Sequence, residues 1–454
     1  MNLISSSLQR YREFSVRRGI FGEEWNIHSN ETMRELMLRH APRRFAPVVA
    51  LLRRGFGRRV LITSDGEEWQ RTQQAVAPAL HAGTVAAAYG PVIEKIAREA
   101  LAQIAERDRT SNGDGVELDV ETLARTIGTS VLGFVLFGRA LSHTEAARIE
   151  ADLNVAMRGL KAGALTSLNT MLAVGYRTLR IPTYQRVLLR PGQVRRVRRL
   201  VRWIEAEIRT LEASPTKVAI FERLRERFAS LSIRRRRRAI AAEYAMFFIA
   251  GVETMAASVA FAVAEIAANP EMLRMVQEEA RRFEWADGAA ELAARYPYIQ
   301  AVYRETLRRH TIVPTLLRES SEDLVLEGST GDGSPKCPVR MAKGAVLRYL
   351  TVAGHLSRSV WPNPNRFQPE RFLVPLSGEQ ASHYMPFGVG PQKCPGHAMA
   401  TNESTIILAE LFQRFDVELR LLPNGIPVER SAMYTNRPVG VKVRVRAVRP
   451  GEVD

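Results

Sequence analysis

Apolar residues recur at a spacing near 3.6 along 91–108, 119–138, 194–213, 265–283 and 397–415, with few breakers, so each stretch is predicted to form a helix. Short alternating runs at 58–63, 322–327, 345–351 and 439–446 predict a few strands. Residues 327–344 (EGSTGDGSPKCPVRMAKG) are rich in turn formers and are expected to loop out between two strands. One segment, 244–264 (YAMFFIAGVETMAASVAFAVA), is long enough to cross a bilayer. Its middle carries Glu253, and a carboxylate there costs about 2.5–3.5 kcal/mol on insertion scales. A helix apolar on every face with one central acid reads better as the buried central helix of a large soluble protein. That acid then becomes a candidate functional residue. The pattern predicts a mainly α protein with a small β component and a long central helix.

Composition narrows the function classes. A length of 454 residues suggests about three domains from typical domain size, yet neither an internal repeat nor an interdomain linker divides the chain. Two cysteines, Cys337 and Cys394, exclude a disulfide scaffold and any four-cysteine zinc or iron–sulfur site. The charge is +17, from 65 Lys and Arg against 48 Asp and Glu. Only seven of these bases are Lys, and such an Arg bias weakens any inference to nucleic acid. Basic runs without interleaved aromatics, such as 195–202 and 234–238, read as solvated helix faces or as docking faces for an acidic protein or an anionic membrane. The first nineteen residues hold no long apolar stretch, so neither a signal peptide nor an anchor is expected there.

The most specific motif is Tyr384-Met-Pro-Phe-Gly-Val-Gly-Pro-Gln-Lys-Cys-Pro-Gly-His397. Cys394 lies in a Gly/Pro-rich loop just before a helical pattern, where a helix N-terminus favours the thiolate and is expected to lower its pKa. Gly388, Gly390 and Gly396 allow unusual turns and close approach to a flat partner, and Phe387 can shield the sulfur. A buried, inert cysteine in a turn is the alternative. The spacing Phe387-x-x-Gly390-x-x-x-Cys394-x-Gly396 is far more specific than a lone cysteine.

With this loop the chain resembles the haem-thiolate monooxygenases of the cytochrome P450 superfamily, in their soluble bacterial form. Four further segments agree in order and spacing. Glu305-Thr306-Leu307-Arg308 resembles the family's Glu-x-x-Arg helix, and Phe367-Gln-Pro-Glu-Arg-Phe372 supplies Arg371 to complete a structural network with Glu305 and Arg308. Ala250-Gly251-Val252-Glu253-Thr254 resembles the oxygen-activation segment. There Gly251 thins the helix, Thr254 can bond to a local carbonyl, and Glu253 with Thr254 can deliver two protons. Gly66 to Gln73 resembles the helix that crosses a haem propionate, with Trp69 present and Gln73 at the usual basic position. Gln392 likewise replaces a base two places before the cysteine, so Lys393 or Arg71 is expected to compensate, and Arg318 matches a further propionate ligand.

The resemblance implies one domain over residues 1–454, with about 1–55 matching less well, and a haem enclosed between helices. Cys394 would be the axial thiolate of haem b, and O2 the co-substrate. Electrons would come from NAD(P)H through a separate ferredoxin or flavodoxin and its reductase, because no flavin or nucleotide segment follows and two cysteines cannot hold a cluster. The expected reaction is hydroxylation or epoxidation of a hydrophobic lipid, terpenoid or polyketide-like molecule in secondary metabolism. Phe247, Phe248, Val313, Leu316 and Met433 would form its pocket. The alternatives are a peroxide-using or isomerising enzyme on the same fold, or a non-catalytic haem carrier or sensor. A cytoplasmic monomer is expected, with no nucleic-acid partner and no transmembrane anchor, though the charge leaves room for peripheral membrane contact.

Overall fold

The computed structural model describes residues 9–10, 14–19, 22–40, 42–46, 49, 53, 60–111, 114–164, 191–213, 218–282, 295–328, 336–419, 428–430 and 435–448. The N-terminal part runs β1 (Gln9–Arg10), β2 (Phe14–Gly19), β3 (Gly22–Ile27), α1 (Asn30–Arg39) and β4 (Arg43–Arg44). Helices then dominate: α2 (Gly66–Val76), α3 (Gly90–Thr110), β5 (Val116–Asp119), α4 (Val120–Phe137), α5 (His143–Ala164), α6 (Pro191–Ala213), α7 (Ala219–Arg227), α8 (Ile233–Ala268), α9 (Pro270–Arg281) and α10 (Pro297–His310). The C-terminal part holds β6 (Leu316–Glu319), β7 (Leu324–Gly328), β8 (Cys337–Met341), β9 (Val346–Tyr349), α11 (Thr351–His355), α12 (Gly378–His383), α13 (His397–Arg414), β10 (Phe415–Leu419), β11 (Val428–Arg430), β12 (Asn436–Pro438) and β13 (Lys442–Ala447).

The centre of the fold is α8, 36 residues long and about 54 Å at 1.5 Å per residue. Apolar residues on all its faces are buried from Ile240 to Ile266, so it has no solvent stripe over that length. Helix α4 lies closest to it. A Cβ on Gly128 would stand 2.5 Å from Met255 Cε, so the Met255 side-chain end fills the space that glycine leaves between α4 and α8. Helices α3, α10 and α13 join the same core. Three described stretches (66–110, α4 and α8) are long and apolar enough to cross a membrane, and the apolar windows of α4 and α8 are 83% and 78% buried inside the protein.

The largest sheet has the order β1-β2-β3-β9-β6-β4, with β3 parallel to β9 and the other pairs antiparallel. It packs a second core around Phe14, Trp25, Met37 and Leu347. Strands from distant parts of the chain therefore meet here, and β4 places Arg44 directly opposite Arg318 of β6.

Several boundaries differ from the pattern-based expectation. The helix expected over 265–283 is two helices. Asn269 leaves the helical conformation and its side chain accepts the Met272 N–H at 3.1 Å, with Pro270 opening α9. The strand expected at 58–63 is a turn where it is described, since Thr63 N–H and Ser64 N–H both donate to Val60 O. The segment expected to loop out at 327–344 contains β8, which pairs antiparallel with β7. Position 345–351 ends in α11 rather than continuing as a strand.

Candidate functional site

The cysteine loop is shaped by its own backbone. Cys394 N–H donates to Phe387 O at 2.9 Å, Lys393 N–H to Gly390 O at 3.0 Å and Gly388 N–H to Met385 O at 3.1 Å. Gly388 (φ 76°) and Gly390 (φ 78°) take the left-handed conformation these turns require. A Cβ at Gly390 would stand 2.9 Å from Met37 O, so this glycine lets the loop sit on α1. It does not line the cavity described below, contrary to its expected cofactor contact.

The loop is tied to the buried lock by His355. Met385 N–H donates to His355 Nε2 at 3.0 Å, so the ring proton is on Nδ1, which faces Thr311 Oγ1 at 2.8 Å. Thr311 Oγ1 in turn donates to Arg308 O at 2.9 Å. Burial pushes His355 down to about 3, which keeps the ring neutral. Arg308 grips Glu305 through Nε and Nη2, both at 2.7 Å, with both side chains fully buried. The third member is looser. Arg371 approaches Glu305 at 3.5 Å and spends its hydrogen bonds on the Pro362 and Asn363 carbonyls. These three residues stand outside the cavity, in the structural place expected of them.

Cys394, Phe387, Gly388, Gly396 and Gln392 line a cavity of about 480 Å³. Ala250, Gly251, Glu253 and Thr254 of α8 line it as well, and so do Trp69 and Gln73 of α2 and Arg318 of β6. Thr254 Oγ1 donates to Ala250 O at 2.8 Å, the local bond expected of it, and the surfaces of Ala250 and Gly251 open toward the cavity. Phe247, Val313 and Leu316 contribute apolar wall. Phe248 does not. It is fully buried and packs on Phe137 and Trp203, at centroid distances of 6.3 and 6.0 Å, because it points about 100° round α8 from Phe247. Met433 lies outside the described residues.

The thiol itself departs from expectation. Its surface opens into the cavity, and burial within the surrounding protein pushes the Cys394 pKa up. The Gly396 N–H and the Lys393 charge pull the other way but are the smaller effects. A helix N-terminus alone therefore does not make this sulfur a thiolate; a cation bound against it would.

The positive end of the cavity was only half legible. Arg71 is exposed and pairs with Glu67 at 3.0 Å, so it does not compensate for the two glutamines. Arg44 takes that place. It pairs with Asp65 at 3.1 Å, donates to Ser64 O, lines the cavity and faces Arg318 across the strands. Gln392 Nε2 reaches the same Asp65 at 3.4 Å. Arg318 is half-buried with Nε unpartnered among the described residues, and desolvation and Arg44 together push it down to about 10. Two opposed guanidiniums, of which only Arg44 pairs with a carboxylate among the described residues, leave positive charge unbalanced, which disfavours the paired strands unless an anion answers it. Two further acids line the cavity unforeseen: Glu243 of α8 and Glu403 of α13, each pushed up to about 8 by burial.

An apolar cavity with a thiol on one wall and surplus guanidiniums at one end suits a flat, apolar, dianionic metal macrocycle. The family comparison decides which. The model of the family described as cytochrome P450 matches residues 23–444. The chain belongs to the cytochrome P450 family. Among curated P450 relatives it is similar to cytochrome P450 93B16 of Glycine max, 32% identical over 183 residues, which is 37% of this chain and 32% of that one. It is also similar to the steroid 17-alpha-hydroxylase/17,20 lyase of Felis catus, 32% identical over 209 residues, or 44% and 39% of the two chains. A probable cytochrome P450 6a18 of Drosophila melanogaster is 28% identical over 220 residues, or 46% and 41%. The aligned stretches span about a third to two fifths of these relatives' own length. The P450 fold thus accounts for the long central helix, the Glu305–Arg308 lock and the cysteine loop together.

Proposed function

We propose that this protein is a haem-thiolate monooxygenase that places one atom of O2 in a hydrophobic small molecule. The observation that carries the reading is that Cys394, Glu253–Thr254 and Arg318 line one cavity although they lie on three separate stretches of chain. Haem b, when bound, supplies the reduction of O2 by two electrons and two protons, with one oxygen atom leaving as water. Cys394 holds the iron by its sulfur, and the guanidiniums of Arg318 and Arg44 hold the haem carboxylates, assisted by Trp69, Gln73 and Gln392. Glu253 and Thr254 hold and pass protons where α8 opens onto the cavity. Phe247, Val313 and Leu316 exclude water from the reacting centre and favour lipid, terpenoid or polyketide-like substrates.

Electrons come from a redox centre outside these 454 residues, of the ferredoxin or flavodoxin type with its NAD(P)H-dependent reductase, because two cysteines leave too few thiolates for a cluster. The curated relatives named above are plant, mammalian and insect proteins. A bacterial-type, cytoplasmic, monomeric P450 of one domain is therefore a proposal from this chain's own residues. Product formation with O2 plus a ferredoxin and reductase, against little with peroxide alone, is the expected outcome. The reverse result would favour a peroxide-using enzyme, for which the Glu253–Thr254 pair is not needed.

A further inference from the structure

Glu243 stands on the same face of α8 as the oxygen segment. Positions 243, 247, 250 and 254 step by three or four residues and all line the cavity, so they form one helical stripe. Glu243 lies seven residues before Ala250, about 10 Å along the axis at 1.5 Å per residue. Leu61, Ile62, Met246 and Phe247, its hydrogen-bond partner and chain neighbours, line the same cavity, and Arg44 is the charged group near it. The side chain is fully buried, yet among the described residues its hydrogen bonds come from one donor, the Leu61 N–H, at 2.9 and 3.2 Å. Both oxygens share that one N–H, which leaves hydrogen-bonding capacity of the carboxyl unused among the described residues in either protonation state. Arg44 is near enough to lower its pKa, but its hydrogen bonds go to Asp65 and Ser64.

We propose that Glu243 is the polar anchor of the substrate pocket. It binds a hydroxyl carried on an otherwise apolar substrate, about 10 Å along α8 from the Ala250–Gly251 notch where oxygen is delivered. The inference rests on the monooxygenase reading and names the substrate class for that same site. An alcohol fits better than a cation. Burial holds the Glu243 carboxyl largely protonated near neutral pH, with its pKa pushed up to about 8, and a carboxylic acid can both donate to and accept from a hydroxyl. Anchoring one end fixes which carbon of the chain reaches the notch, so Glu243 would set the position of oxidation as well as affinity.

The test uses the ferric holoenzyme and its substrate-induced Soret shift. Dodecanol is titrated against dodecyl methyl ether, which keeps the chain and removes the O–H. The wild type is expected to bind the alcohol about tenfold more tightly, as one buried hydrogen bond allows. Glu243→Leu should reduce the preference below about twofold without weakening the ether, and Glu243→Gln should fall between. Equal affinities in the wild type overturn the proposal without any variant, as does a preference that survives in Glu243→Leu. Tighter binding of dodecylammonium than of the alcohol overturns the hydroxyl class. The reduced, CO-bound spectrum of the same samples reports the thiolate–haem reading separately, so the anchor can fail while that reading stands.

Discussion

Two ends of one cavity are built in opposite ways. The cysteine end is local. Residues 385–396 shape themselves through three short-range backbone hydrogen bonds and two left-handed glycines, and the reactive sulfur stands within that same dozen residues. The guanidinium end is assembled from distant chain, with Arg44 and Arg318 brought face to face by β4–β6 pairing and Asp65 and Gln392 completing it. A local device concentrates function in one side chain, whereas a distributed one shares charge among several. The first should therefore fail abruptly on single substitution and the second by degrees.

The largest effect is expected beneath the cysteine loop. Arg308→Ala leaves the fully buried Glu305 carboxylate with only the looser Arg371 at 3.5 Å and the Gln368 N–H, a loss of about 3–5 kcal/mol. It also removes the side chain that bonds the His355 carbonyl at 2.8 Å. A urea titration should show a large drop in midpoint, or no soluble folded protein at all. An unchanged midpoint would separate the lock from the loop.

At the distributed end, Arg318→Leu or Arg44→Leu alone should each weaken haem retention by the value of one charge-assisted hydrogen bond, about 1.5–3 kcal/mol. The double variant should lose clearly more than either. Haem transfer to an acceptor globin reads these losses. If one single variant lost as much as the pair, the comparison would break, because the end would then hinge on one residue.

Within the loop, Gly390→Ala should cost more than Gly388→Ala. Both glycines are left-handed, worth about 1–2 kcal/mol for an L-residue. Only at Gly390 would the new Cβ meet a backbone atom, Met37 O, whereas nothing lies within 4 Å at Gly388. Thermal midpoints should rank wild type, Gly388→Ala, Gly390→Ala.

The last prediction is a slope with pH. Glu243 and Glu403 have folded pKa values raised to about 8 from an ordinary 4.5, so the folded chain binds more protons than the unfolded one between these limits. The stability they contribute is fully present below about pH 4.5 and is lost as pH rises through 8. Glu403→Gln should flatten the decline in denaturant midpoint between those pH values.

The same contrast explains what could be read from sequence. Cys394, Phe387 and the two glycines share one contiguous motif, so spacing exposed them, whereas Glu305 and Arg308, one helix turn apart, stood out from an ordinary surface ion pair only through the family resemblance. Most of the long helices were visible because their apolar faces repeat regularly. Arg44 carried no such signal. It sits on a two-residue strand, and its function depends on which strand pairs with it. Arg71, nearer in sequence to the expected position, points to solvent and Glu67 instead. Glu243 was hidden differently, at the edge of an apolar run whose cavity-facing side only the packing of α4 and the turn at residue 61 defines. Phe248, one residue from Phe247, fell on the wrong side for the same reason: adjacent residues on a helix point about 100° apart.

The central claim is that Cys394 is the axial thiolate of a haem. The reduced, CO-bound protein should show the red-shifted Soret band of thiolate-ligated haem, and Cys394→Ala should lose that band while Cys337→Ala keeps it. A wild-type protein without the band, or a Cys394→Ala variant that retains it, would contradict the account.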